Sequence, residues 1–184
     1  MLLPHLFVML VSTSVFAAPQ FEFDNPRLSM TDRWQSMMAY VNEKGTAATQ
    51  ILLAKTKDKI WFMRNAALVA LDEINSPHAI DTARKLLNDE SLVVRSAAVN
   101  VLQKHLTKDV RDLLWKELQQ KRNYLKSQSL WIRAQIMEIL SQQPLNSELV
   151  RFKQYRNDLD QKVAQAAKRA MDLISEREPT HLER

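Results

Sequence analysis

A repeat of 31 residues constrains this chain more than any other feature. Five nine-residue segments align without gaps: 32–40 (DRWQSMMAY), 63–71 (MRNAALVAL), 94–102 (VRSAAVNVL), 132–140 (IRAQIMEIL) and 163–171 (VAQAAKRAM). Their second positions are Arg33, Arg64, Arg95, Arg133 and Ala164, at spacings of 31, 31, 38 and 31. The fifth position is mostly small (Ser36, Ala67, Ala98, Ile136, Ala167) and the ninth is large (Tyr40, Leu71, Leu102, Leu140, Met171). The first is apolar in four of the five copies. Offsets of four and four put these positions on one face of a helix. A small residue between large ones lets a neighbouring helix approach and then holds it. Units that each carry one such face must stack to bury it. The expected fold is therefore an all-α solenoid.

A second set of shorter apolar stripes falls between these segments, in 46–54, 77–87, 110–118 and 147–155. The unit is helix–turn–helix, which predicts about nine helices in four to five repeats. Boundary residues agree. Ser29 with Asp32 has the form of a capping box. Gly45 is placed to end the first helix in a left-handed conformation. Ser76-Pro77 suits a helix start. Asp89 and Asp158 stand shortly before repeat helices, where a carboxylate accepts from free N–H groups. Gly45 is the single glycine, which leaves few turns for a strand-rich fold. The 38-residue spacing marks seven extra residues in or near 121–129 (KRNYLKSQS). An insertion in a solenoid maps to a loop on one face, with a binding role or as mere spacing.

The pattern D-x5-R, Asp58 to Arg64 and Asp89 to Arg95, followed by small and aliphatic positions, resembles HEAT repeats, in particular the bilin-lyase HEAT-like subtype. The resemblance covers about residues 29–175. It implies a structural role for Asp58, Arg64, Asp89 and Arg95, with each arginine bonding across adjacent turns or repeats. Arg33 and Arg133 belong to the same column but have no Asp six residues earlier. Ala164 breaks the column, as a terminal repeat does.

The remaining segments give a domain plan. Residues 1–17 are an uncharged apolar run ending in small residues, with Val15 and Ala17 at the positions a signal peptidase reads. A cleaved export signal is the expectation, with an uncleaved anchor as the alternative. Export from a Gram-negative cell would put the chain in the periplasm. Residues 18–28 form an N-terminal arm, in which Phe21 and Phe23 either cover the first repeat or stay mobile. Residues 29–175 are the repeat domain, and 176–184 a disordered tail. No stable membrane span is expected once the signal is removed.

Chemistry is hard to place on this chain. It has no cysteine, which excludes disulfides and thiolate chemistry, and one glycine excludes the phosphate-cradling loops. Its four histidines are scattered, with no metal-ligand spacing. HEAT-like proteins include DNA glycosylases, bilin lyases and a di-iron hydroxylase. The hydroxylase needs His-Glu pairs, and none occurs here. The expectation is a non-catalytic scaffold or adaptor without cofactor or metal, with another protein as its partner. A nucleic-acid-binding or glycosylase-like protein and a bilin-lyase-like cofactor handler are the alternatives.

Charge suggests where a partner binds. Residues 18–90 carry a net charge of −1 and residues 91–184 a net charge of +6, which points to an acidic partner on the C-terminal half. Lys116, Lys121, Arg122 and Lys126 surround the sixth helix and the insertion. Arg111 and Lys108 precede them. Arg151 and Lys153 lie on the equivalent helix of the next repeat. Stacking would set these groups side by side as one basic strip. Asp109, Asp112 and Glu117 interrupt it, and nucleic acid is disfavoured on that ground and by export. Trp61 and Trp131, each on the first turn of a repeat helix, are candidate interface anchors. The plainer alternative buries both between repeats.

Overall fold

The computed structural model describes residues 21–177. The expected signal segment 1–17 and most of the expected tail lie outside that range. The described residues form nine α-helices and one short hairpin. The helices are α1 (Met30–Lys44), α2 (Thr49–Lys55), α3 (Trp61–Glu73), α4 (Ala79–Leu86), α5 (Leu92–Gln103), α6 (Lys108–Leu118), α7 (Trp131–Gln142), α8 (Leu149–Tyr155) and α9 (Gln161–Arg177). Each of the five aligned segments lies in an odd-numbered helix.

These long helices form one layer in chain order, α1 on α3, α3 on α5, α5 on α7 and α7 on α9. Each short helix packs closely against the long helix that follows it. The layer is parallel, because ion pairs join neighbours at both ends. Arg64 near the start of α3 meets Asp89 just before α5, and Asp72 near the end of α3 accepts from Lys104 Nζ just after α5 at 2.6 Å. The small column fulfils its purpose: Ala67, Ala98 and Ala167 are fully buried, with Leu71, Leu102 and Leu140. The core is continuous from Phe23 to Ile174.

Caps end the helices as their residues dictate. Ser29 Oγ accepts the N–H of Asp32 at 3.1 Å. Gly45 ends α1 with φ of 52° but ψ of −133°, so it turns the chain directly into a 3-10 turn rather than adopting the left-handed helical conformation. Asn75 (φ 50°) ends α3 instead in that manner, with Ser76 N–H donating to Leu71 O and Asn75 N–H to Asp72 O, both at 2.9 Å. Phe21 and Phe23 cover the first repeat: their rings stack at 5.0 Å, and both meet Tyr40 edge-on.

The arginine column is a ladder along one edge of the solenoid. Arg64 donates to Oδ2 and Oδ1 of Asp89 at 2.6 and 2.7 Å, and to the carbonyls of Asp58 and Lys59. Arg133 donates to both oxygens of Asp158, at 3.2 and 2.6 Å, and to Leu118 O. In both cases the aspartate is 25 residues ahead, in the loop before the next long helix. That aspartate also accepts an N–H two residues on, from Ser91 for Asp89 and Asp160 for Asp158. One carboxylate thus shapes its own loop and clamps the preceding repeat. Arg33 is the exception at the N-terminal end: it donates to Phe23 O at 2.8 Å, and Asp58 pairs with Lys55 instead.

The insertion breaks the ladder at Arg95. The segment that holds the extra residues forms a 3-10 turn at Lys121–Asn123 and a hairpin of β1 (Tyr124–Leu125) and β2 (Gln128–Ser129). Tyr124 pairs with Ser129 and Leu125 with Gln128. The two turn residues, Lys126 and Ser127, both have positive φ, as the favoured two-residue hairpin turn requires. Arg95 therefore meets no aspartate. It donates to Arg122 O at 3.1 Å and Asn123 Oδ1 at 3.3 Å, besides the carbonyls of Asp89 and Glu90. Burial lowers its pKa, and its Nε is buried without an acceptor. Asn123 is fully buried, and its Nδ2 donates to Glu117 O and Oε1 at 2.8 and 2.9 Å.

This arrangement makes Asn123→Asp destabilising, although it would restore a carboxylate to the ladder. The change removes both Nδ2 bonds and sets an acid against the buried Glu117 carboxylate. Urea denaturation is expected to show a loss of about 1–3 kcal/mol; a gain in stability would refute this view of the insertion.

Candidate interaction surfaces

The ladder fixes four loops in a row, those before α3, α5, α7 and α9. Their tips carry large apolar side chains into solvent. Trp61 is 40% exposed, Trp131 52%, Leu125 63% and Leu159 98%, and Ile60 and Val93 join them. Trp61 and Trp131 thus stand at the surface and do not fill the space between repeats. Trp115 is the buried tryptophan, set edge-on to Phe152 and stacked near Tyr155.

The basic residues divide between two places. Lys121 and Lys126 are on the loop edge, in the insertion, beside Trp131 in sequence. Lys116 is exposed on α6, and Arg151 and Lys153 are exposed on α8. Arg151 is paired with Asp112 at 2.7 Å and lies over the Trp115 ring. Lys116, Lys121, Lys126 and Lys153 make no ion pair among the described residues. Arg122 is committed to the interior of the insertion: it pairs with Glu117 and donates to Leu87 O and Asn88 Oδ1.

Arg111 is buried, away from any basic strip. It pairs with Glu148 through both carboxylate oxygens and donates to Leu140 O at 3.1 Å. Trp115 Nε1 donates to Glu148 Oε1 at 2.8 Å, and the N–H of Leu145 to Oε2 at 3.3 Å. Every strong acceptor direction of this buried carboxylate is used. The cluster joins α6 to the turn before α8 and is structural. Nothing in the repeat pattern signals it, because its partners are 37 residues apart and span the insertion.

An open groove of about 800 Å³ runs between α7 and α9, lined by Trp131, Ala134, Gln135, Glu138, Gln165 and Arg169. Glu138 pairs with Arg169 there. Gln135 is held from the other side, accepting from Ser96 Oγ at 2.8 Å and donating to Asn100 Oδ1 at 2.7 Å. A second hollow of about 540 Å³ beside the hairpin is lined by Tyr124, Gln128, Arg133 and Leu159. Ser129 and Asp160 border both. The Arg133 guanidinium lies 4.5 Å from the Tyr124 ring centre, which joins the hairpin to the ladder. Sequence periodicity does not reveal the groove, since its polar lining alternates with the core stripe of the same helices.

A layer of parallel helices, each followed by a shorter one and clamped at one edge, defines an α-solenoid. Residues 49–131, from α2 to the first residue of α7, match the family model for HEAT repeats, which supports reading the chain as a HEAT-repeat protein. The match is to HEAT repeats at large and does not single out the bilin-lyase-like subtype. HEAT repeats are commonly protein-interaction scaffolds. No curated protein matches the chain. Among the described residues no group of three or more His, Cys, Asp or Glu side chains could hold a metal ion, and no helix is long and apolar enough to cross a membrane.

Of the three carboxylates with displaced titration, Asp112 is lowered chiefly by its hydrogen bond from Arg151, and Glu148 and Asp158 pair with buried arginines. Burial alone would raise Glu148 and Asp158. The hydrogen bonds and charge of Arg111 and Arg133 outweigh it and hold both below their ordinary values, with Trp115 assisting at Glu148 and the Asp160 N–H at Asp158. A carboxyl depressed in the folded state stabilises fully above its unfolded pKa, and that contribution is lost as pH falls through the folded one. Urea midpoints are therefore expected to drop on acidification below about pH 4. Glu148→Gln should be less stable at neutral pH and lose less on acidification. Equal acid slopes for the two proteins would contradict the assignment.

Proposed function

We propose that this protein is an exported, non-catalytic HEAT-repeat scaffold that holds a segment of a partner protein in the groove between α7 and α9. One observation carries the reading: an open groove with an exposed tryptophan on its wall lies between two helices fixed at both ends. Arg133 and Asp158 fix one end, and Arg177 Nη1, donating to Pro144 O at 2.8 Å, fixes the other. A rigid wall lowers the ordering cost of binding, and a tryptophan with flanking donors and acceptors is how interface anchors are built. The apolar run of residues 1–17 with its small-residue end supports export. The lining holds Glu138 and Asp160 against Lys162 and Arg169, so the groove by itself asks for a mixed polar and apolar segment. The preference for an acidic partner rests on Lys116 and Lys153 outside it.

The test is a crosslinking pull-down from envelope extract with residues 18–184 as bait. Parallel baits carry Ala134→Trp, which fills the groove, and Lys116→Glu with Lys153→Glu. A protein captured by the first bait and lost with Ala134→Trp supports the groove. Unchanged capture by Ala134→Trp refutes it, and loss with the lysine pair alone moves the contact to the outer face of α6 and α8.

A further inference from the structure

We propose that the loop edge docks on the surface of an anionic lipid bilayer, a contact that shares Trp131 and Lys162 with the groove wall but does not need the groove. The ladder sets four loops in a row, and at about 9 Å between neighbouring helices they span about 30 Å. Two kinds of side chain share their tips. Trp61, Leu125, Trp131 and Leu159 project into solvent, Leu159 almost completely. Lys57, Lys59, Lys121, Lys126, Arg156 and Lys162 are exposed around them and make no ion pair among the described residues.

The edge is strongly unbalanced in charge. Asp89 and Asp158 are used by the ladder, and Asp58 by Lys55. Glu90 beside Arg64 and Asp160 are what remains to oppose six cations. The apolar groups are separated tips with lysines between them, unlike the continuous apolar centre and polar rim of a protein interface. Tips of this kind suit the headgroup region. Tryptophan rings prefer that depth, leucines reach the acyl boundary, and lysines meet lipid phosphates with their stems along the apolar surface. No described helix can span a bilayer, so such contact is peripheral. The ladder has a use in this arrangement, since loops held by the arginines' hydrogen bonds present their tips without further ordering.

Vesicle co-sedimentation of residues 18–184 tests the proposal, with phosphatidylcholine alone and phosphatidylcholine mixed with phosphatidylglycerol. The chain is expected to sediment with the anionic vesicles, less as salt rises. Binding should fall at least about tenfold both in Lys57→Glu/Lys59→Glu/Lys126→Glu and in Leu125→Glu/Leu159→Glu. All five side chains are exposed, and circular dichroism verifies folding. Failure to bind anionic vesicles at low salt overturns the proposal. So does binding that needs the lysines but not the leucines, which would mark the edge as a site for an acidic protein or nucleic acid. Self-association lost in the leucine variant, without vesicle binding, would assign the edge to a second copy of the chain. Ala134→Trp should bind vesicles like the unaltered chain, so the groove and the edge stand or fall separately.

Discussion

Four of the five long helices bring an arginine to the edge of the helix layer, and the rest of the structure is arranged around satisfying its donors. An arginine buried at the start of a long helix is costly unless its donors are all met. Arg64 meets them with carbonyls of its own loop and Arg133 with Leu118 O and Ser129 Oγ, and both with the carboxylate of the next loop. That second contact makes the ladder more than a set of caps. It reads across the repeat boundary, so packing of neighbouring helices and shaping of neighbouring loops become one event. A quasi-one-dimensional fold depends on such nearest-neighbour terms.

The two ends and the insertion show how the same need is met when the pattern lapses. At the N-terminal end Arg33 takes a carbonyl of the segment that covers the first repeat, so Phe21 and Phe23 are tied down by the column itself. In the last described repeat Ala164 stands where the column has arginine, yet Asp158 is retained for Arg133. In the middle, Asn123 and a backbone carbonyl replace the missing carboxylate, and Glu117 balances the charge at one remove. The hairpin built there lifts Leu125 and Lys126 out of the surface. The insertion is thus structural at its base and available for binding at its tip.

Most of this fold was legible in the sequence because its cause is periodic. The Arg33, Arg64, Arg95 and Arg133 column and the small residues three positions later define the long helices before any coordinate is seen. Asp58, Asp89 and Asp158 each stand six residues before the matching position of the next segment. The pairing of Asp89 and Asp158 with the arginine one unit back fits the unit length, whereas Asp58 pairs with Lys55. What escaped is aperiodic. Arg111 sits in a charged run with Lys108 and Asp112 and so reads as a solvated face, although it is buried against Glu148 and Trp115. The division of the basic residues between edge and outer face also escaped, because it depends on where the insertion projects. For Trp61 and Trp131 filling between repeats is the plainer reading of the sequence, yet both are exposed; the first-turn position alone does not decide between the two.

The central claim is that the arginine of one repeat and the aspartate of the next act as a single unit. A double-mutant cycle on Arg64 and Asp89, using Arg64→Leu, Asp89→Ala and the combination in urea denaturation, measures this directly. Asp89 also supports its own loop, so each single change will cost stability on its own account. The account predicts a coupling energy of about 1–3 kcal/mol between the two positions. A coupling indistinguishable from zero would contradict it, and would leave the repeats held together by helix packing alone.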